Sequence, residues 1–226
     1  RKALNKEEVL QYFRNETGAN FSIIDGNEEA RLTLLAVKYA LKRENINSNN
    51  FILLDIGGGS TEIIINTNEK YKAHSFDFGI VTMTQKYLKF HDLYNDLRNR
   101  KVEIKTFLDS LNIEDLKNYS FVATAGTPTT IAAIKLGQDF FSYDKNVING
   151  TVVDLEDLDY CLDIFKNSTE EEISRLVGRG RVEFIEVGIL IYQTIFEVLN
   201  KKESIVLDDG LREGVAIDYC LKCKKI

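Results

Sequence analysis

Two apolar runs, Phe51–Ile56 and residues 61–65, are joined by only Gly57-Gly58-Gly59-Ser60. So short a link can hold neither a helix nor a crossover, which leaves a hairpin of two antiparallel strands. The β-branched Thr61, Ile63, Ile64 and Ile65 suit the second strand. Three successive glycines exceed what a turn needs, and they let the backbone approach a ligand and turn its N–H groups towards an anion. The cluster lacks the G-x-x-x-x-G-K-[ST] pattern of a P-loop. It also leads into a strand rather than a helix, against a dinucleotide-binding fingerprint. Asp55 and Glu62 flank it, and neither carboxylate would tolerate burial beside apolar strands without a task. A plain glycine-rich turn is the competing reading, and the two acids weigh against it.

Around this hairpin the chain alternates helices and strands. An opening helix starts at Asn5, whose spacing to Glu8 resembles a capping box, and carries Val9, Leu10, Tyr12 and Phe13 to a stop at Thr17-Gly18. Residues 21–24 read as a short strand and Asp25-Gly26 as a turn. Asn27 is placed to cap a helix over residues 28–43 that is apolar on several sides and therefore buried. The polar stretch 44–50 is the best linker. Beyond the hairpin come a strand over 71–78, a helix from Gly79 to about Phe90, a charged helix over 96–111 and a buried strand over 119–123. Thr127 as N-cap and Pro128 at the first position then start a helix to Leu136. Residues 139–151 read as an aromatic loop, followed by helices over about 155–166, 169–177 and 182–199. A last strand, 204–207, breaks at Asp208-Asp209-Gly210 into a terminal helix from Leu211. The order β-β-β-α, β-α, β-α is that of an α/β domain with a mixed sheet of five strands flanked by helices.

Composition narrows the partners. With 44% hydrophobic and 28% charged residues and a single Pro in 226, the chain is neither disordered nor low-complexity. A net charge of −6 argues against general nucleic-acid binding, although local backbone donors can still hold a small anion. No apolar run approaches a membrane span and no signal-peptide core opens the chain, so the expectation is a cytoplasmic protein with no membrane partner. Cys161, Cys220 and Cys223 are an odd set that suits free thiols in a reducing compartment. Cys220 and Cys223 form a C-x-x-C near the last turn of the final helix, ahead of Lys224-Lys225-Ile226, with no second pair to complete a zinc site.

A second anion-type turn is Ala123-Thr124-Ala125-Gly126-Thr127-Pro128-Thr129, where a buried strand meets a helix N-terminus. Alone it reads equally as an ordinary capped helix. Leu207-Asp208-Asp209-Gly210 repeats the strand-end geometry. If the three strand ends face one mouth, their glycines and acids make a phosphate site with metal-binding capacity.

The strings DIGGGSTE (55–62), GNEEAR (26–31), ATAGT (123–127) and DDGLREG (208–214), in this order, resemble the exopolyphosphatase and guanosine pentaphosphate phosphohydrolase family, within the actin, sugar kinase and heat-shock ATPase superfamily. Weaker similarity at Phe78-Gly79-Ile80-Val81, residues 143–150 and residues 181–188 extends the resemblance over essentially the whole chain. It implies an actin-like (ribonuclease H-like) fold and a catalytic cleft between two such domains. It implies Glu29 as the general base, Glu62 as a second catalytic carboxylate and Asp55 as the ligand of Mg²⁺ or another divalent cation. Gly57, Gly58, Gly59 and Ser60 become one phosphate cradle, and Gly126 with Thr127 a second. Without the resemblance, Glu28 and Glu29 would read as the favourable acidic first turn of a helix.

The implied substrate is inorganic polyphosphate, guanosine pentaphosphate, or both. Arg181 and Arg212 are candidate polyanion contacts, although surface arginines more often serve as solvated or paired charges. Homodimers are common in such families, yet no patch here marks an interface. The chain opens on Arg1 just past the turn that precedes the E-E-A element in the family, and Arg1-Lys2-Ala3-Leu4-Asn5 resembles the flank of that turn. Residues 1–45 are therefore expected to be the tail of a first actin-like domain. Residues 46–226 then form the second, whose terminal helix returns towards the first. With part of the cleft outside it, this stretch alone is expected to be poorly active. A non-catalytic polyphosphate- or nucleotide-binding module and an actin-like kinase or ATPase are the competing readings. The presence of both Glu29 and Glu62 favours the hydrolase over the first, and the lack of an acceptor domain disfavours the second.

Overall fold

The structure is a computed structural model that describes residues 4–68, 70–87, 90–113 and 116–223. Arg1, Lys2 and Ala3 of the quoted flank, and the closing Lys224-Lys225-Ile226, lie outside these residues.

The hairpin forms as its sequence demands. β1 (Phe51–Ile56) pairs antiparallel with β2 (Thr61–Asn66), and Asp55 stands directly opposite Glu62. β3 (Tyr71–Phe76) continues the meander, with Ser75 opposite Glu62. On the other side β1 pairs parallel with β4 (Ser120–Thr124), and Asp55 faces Thr124. β6 (Glu203–Val206) lies parallel beside β4 and pairs with antiparallel β5 (Thr151–Asp154) at the edge. The sheet order is β3-β2-β1-β4-β6-β5.

The sheet thus has six strands where the sequence reading gives five. β5 starts at the last residue of what reads as a loop and fills the gap before the next helix, because four residues are too few to show alternation. Residues 21–24 form no strand; no strand among the described residues lies beside them, and Phe21 and Ile23 are exposed.

One face of the sheet carries most of the core. α3 (Ile80–Lys86), α4 (Phe90–Ser110), α5 (Gly126–Lys135), α7 (Leu155–Asn167) and α9 (Ile185–Leu199) pack there, with α9 at the centre. α9 buries ten of its residues, Tyr192 and Phe196 completely, against Ile52, Leu54, Ile63 and Phe121 of the strands. α8 (Glu170–Val177) and the one-turn α6 (Lys145–Ile148) flank this layer. The helix expected to reach Phe90 stops at Lys86, with residues 88 and 89 outside the described set.

The opposite face carries α2 (Gly26–Arg43) and α10 (Leu211–Cys223), which pack on each other. The contact is close: a Cβ on Gly214 would lie 2.0 Å from the Leu32 carbonyl oxygen, so only glycine fits there. Arg31 Nη1 bonds Asp218 Oδ1 at 3.0 Å beside it. α2 buries Ala30, Leu34, Val37, Ala40 and Leu41 against Phe51, Leu53, Ile64 and Val122.

Two helix starts differ from their sequence readings, and a third keeps its place without the expected cap. Asp25, not Asn27, caps α2, its carboxylate accepting the Glu28 amide at 2.8 Å. α1 (Lys6–Thr17) starts after Asn5, but no side chain caps it and none of its residues is buried. α5 begins at Gly126 after Ala125, so Thr127 and Pro128 lie inside its first turn.

Candidate functional site

β1, β4 and β6 are parallel, so their C-terminal ends emerge together, and the chain leaves each of them at a cavity of about 450 Å³. Asp55 enters it from β1; Thr124, Ala125 and Gly126 from the end of β4; Asp208, Gly210, Arg212 and Glu213 from the end of β6. Arg181 and Tyr143 close it from surrounding loops. Ligands of open α/β sheets bind in this position, outside the carboxyl ends of the strands.

The β4–α5 turn is strained. Ala125 has φ 73 and ψ −173, a region populated almost only by glycine, at a cost of roughly 1–3 kcal/mol. Beyond it, the amides of Gly126 and Thr127 meet no protein acceptor among the described residues. Two open donors at the N-terminus of a ten-residue helix suit an anion. The Arg181 guanidinium lies over Gly126, 3.2 Å from where a Cβ would stand, and donates to Thr130 Oγ1 at 3.2 Å. The Thr127 side chain is buried against Gly188 of α9, so this residue can offer only its amide.

The glycine turn is built differently. Its Gly57 amide bonds the Ser60 carbonyl at 2.9 Å, and the Gly57 and Gly58 carbonyls accept the first amides of α3 from Ile80 and Val81. The amides of Gly58, Gly59 and Ser60 meet no protein acceptor among the described residues. This turn does not line the 450 Å³ cavity and adjoins it only through Asp55.

Register gathers the acids into one transverse row: Thr124, Asp55, Glu62 and Ser75 occupy matching positions on four adjacent strands. Cross-strand partners share a sheet face, and this row lies on the α2 side. Ser75 Oγ donates to Glu62 Oε1 at 2.6 Å, and Glu62 is buried. At its far end the row meets a second cavity of about 140 Å³, walled by Gly26, Asn27 and Ala30 from the start of α2. Burial pushes the Asp55 carboxyl up to about 7, and the charges of Glu62 and then Glu29 add to the effect. Glu29, on the first turn of α2, is thus electrostatically coupled to the row.

Asp208 is likewise pushed up by burial, opposed by its hydrogen bond from the Tyr143 hydroxyl. Asp209 points away from the cavity and is neutralised by Arg43, at 2.8 Å, and Lys145, at 3.6 Å. Arg212 is exposed at the rim beside Glu213. Ser75 and Arg43 carry no motif of their own, and Tyr143 stands only at the edge of a weakly similar stretch; register and loop packing bring them in. The C-x-x-C lies on one turn of α10 with both thiols exposed, and Cys161 is buried.

Among the described residues, no three His, Cys, Asp or Glu side chains converge closely enough to enclose a metal ion. Asp55 and its neighbour Glu62 do offer hard carboxylate oxygens. A cation that takes one or two carboxylates, completing its shell with water and phosphate oxygens, fits such a donor set, and Mg²⁺ is of that kind.

The chain's relatives share this architecture. The profile of the Ppx/GppA phosphatase family matches residues 1–223. A bifunctional 3-dehydroquinate synthase/phosphatase of Fusobacterium nucleatum is 27% identical over 96% of the chain and 33% of its own length. Exopolyphosphatase 2 of Mycobacterium tuberculosis is 25% identical over 88% of the chain and 64% of its own length. A guanosine-5'-triphosphate,3'-diphosphate pyrophosphatase of Aliivibrio fischeri is 28% identical over 95% of the chain and 42% of its own length. The chain therefore spans between a third and two thirds of these curated relatives. The crystal structure of the Aquifex aeolicus member of the Ppx/GppA protein family superposes with a TM-score of 0.76 at 30% identity, over 97% of this chain and 71% of that one.

Proposed function

This chain belongs to the Ppx/GppA phosphatase family, and on that premise we propose that the protein of which it forms part hydrolyses the terminal phosphate of inorganic polyphosphate, of guanosine pentaphosphate, or of both. The observation that carries the reading is the meeting of three parallel strand ends at one cavity, where Gly126, with its open amide, and Asp55 both line the wall, Thr127 following the first and Glu62 standing across the strand pair from the second. A phosphate needs donors and the reaction needs carboxylates, and the sheet delivers both to one place.

In this reading Glu29 orients a water molecule and takes its proton as the oxygen attacks phosphorus. The new O–P bond forms as the bridging P–O bond breaks, and the shortened chain leaves with that electron pair. The amides of Gly126 and Thr127 hold the phosphoryl oxygens in place, and Gly58, Gly59 and Ser60 offer a second cradle further along the chain of phosphates. Arg181 and Arg212 balance the charge of a polyanion. Asp55, supported by Glu62, would hold Mg²⁺, which when bound neutralises charge on the phosphoryl oxygens. Residues 1–45 are assigned to the tail of a first actin-like domain and residues 46–226 to the second. The three free thiols suit a cytoplasmic setting.

Phosphate release by the full-length protein from long-chain polyphosphate and from guanosine pentaphosphate tests the assignment. Release from at least one of them, abolished by Asp55→Asn, is expected. Release from neither substrate in the presence of Mg²⁺ would sink it.

A further inference from the structure

Cysteine is among the most buried of residue types, and where packing does not hold it, its reactivity decides its use. Cys161 follows the first pattern and is buried in the core around α9. Cys220 and Cys223 do not. Both thiols are exposed on the last turn of α10. At about 100° per residue they fall on one side of the helix with the exposed Ala216 and Tyr219. Gly214 and Asp218, which meet α2, lie on the opposite side. Residues three apart on a helix are neighbours, with Cβ atoms about 5–6 Å apart, so the two thiols are adjacent and face water. The proposed hydrolysis uses neither of them.

The spacing selects among the uses of a thiol pair. A disulfide draws the Cβ atoms to about 3.5–4.5 Å, which the turn cannot reach while it stays helical. The turn is also pinned: Lys222, between the two cysteines in sequence, pairs with Asp218 at 2.6 Å, and Asp218 accepts Arg31 of α2 at 3.0 Å. An ion between the sulfurs closes the gap instead, because metal–sulfur bonds of about 2.3 Å let them stand up to about 4.6 Å apart. Among the described residues no third His, Cys, Asp or Glu converges on the pair, so the donor set is two sulfurs. A structural zinc site asks for four ligands, whereas soft thiolates select Cu(I). We propose that Cys220 and Cys223 are a two-thiolate clamp for a soft, sulfur-seeking cation of the Cu(I) kind, on the face of α10 turned away from α2. On binding, two S–H bonds give way to two metal–sulfur bonds, and two protons pass to solvent. Nothing is oxidised or reduced. The clamp shares no residue with the cavity at the strand ends.

Anaerobic titration of the reduced full-length protein with Cu(I), presented as its coloured bicinchoninate complex, counts the ions that the protein withdraws. Cys220→Ser and Cys223→Ser should each withdraw one equivalent fewer than the parent, and Cys161→Ser should match the parent. The helical signal in circular dichroism should hold steady as the site fills. Equal withdrawal by the parent and by Cys220→Ser would overturn the clamp. Loss of two hydrogen atoms from the pair on treatment with oxidised glutathione, with release of two glutathione thiols, would overturn it in favour of a disulfide. A dimer that forms only with Zn²⁺ and only when both cysteines are present would overturn it in favour of a four-sulfur site shared by two copies. Phosphate release enters none of these readouts, so the clamp stands or falls apart from the hydrolase reading.

Discussion

The two faces of the central sheet use the same strands for different ends. Alternation along β1 sends Ile52, Leu54 and Ile56 to the face covered by α9, and Phe51, Leu53 and Asp55 to the face covered by α2 and α10. On the α9 side the apolar layer is continuous from β3 to β6, and fully buried aromatic rings fill it. On the α2 side a small apolar cluster gives way, one residue pair further along, to the row of Thr124, Asp55, Glu62 and Ser75. A carboxylate pushed up to about 7 is tolerable only because the other face supplies stability. The division of labour follows from a period of two.

If the faces are separable, changes on one should leave the other's property alone. The largest effect is expected from Glu29→Ala in the full-length protein, a loss of about 10²–10⁴ in rate, the usual share of a general base. Its melting temperature should stay close to that of the parent, since Glu29 is only half-buried, on the first turn of its helix. An active Glu29→Ala variant would remove Glu29 from the base's role.

Phe196→Ala on the opposite face should do the reverse. The ring is completely buried and packs edge-on to Phe121 at 5.0 Å, so its loss should cost about 3–5 kcal/mol in denaturant unfolding. Activity per folded molecule should be unchanged. A fall in kcat beyond the fraction unfolded would show that the faces are coupled.

A smaller effect is expected at Ser75, which holds the carboxylate of Glu62 through a 2.6 Å bond. Ser75→Ala should lower kcat about tenfold, the weight of one hydrogen bond to a charged group. KM should hardly move, and Ser75→Thr, which keeps the hydroxyl, should retain most of the rate. A change in KM alone would make Ser75 a substrate contact rather than a positioning residue.

The smallest effect concerns pH without added metal. Because the folded protein holds the Asp55 proton up to about 7, far above the usual carboxylate range, it binds that proton more tightly than the unfolded chain does. Asp55 therefore favours folding fully below the unfolded value near 4, and this contribution fades as pH rises through about 7. Melting temperatures at pH 5.5 and 8 should differ in the direction of greater stability at the lower pH, and Asp55→Asn should flatten that difference. The same slope in Asp55→Asn would assign it to other groups.

Much of this arrangement could be read in the chain itself. Four residues between two apolar runs admit only a hairpin, and a hairpin with Asp55 and Glu62 at its mouth puts the two acids opposite one another. Three strand ends with glycines and acids anticipated the shared cavity. What escaped depends on distance along the chain. Ser75 reaches Glu62 through the β2–β3 register, and Tyr143 reaches Asp208 across more than sixty residues of sequence. The helix starts were misread for a local reason: several Asn, Asp and Thr residues crowd each boundary, and only backbone geometry selects Asp25 over Asn27 or places Ala125 before Gly126. The glycine turn and the α5 start read as twin cradles, yet only the second, through Gly126, lines the cavity, while the first lies against the start of α3.

The seating of Gly214 on Leu32 also has a consequence for the order of assembly during synthesis. α2, with Glu29 on its first turn, leaves the ribosome some 170 residues before the glycine against which it packs, a gap read directly from the numbering. Until α10 arrives, α2 lacks both the backbone contact at Leu32 and the Asp218 partner of Arg31. A nascent chain can therefore close its large core around α9 while the helix bearing Glu29, the proposed base, still lacks its final support. Such timing would leave the Glu29 end of α2 unsupported until α10 has been made.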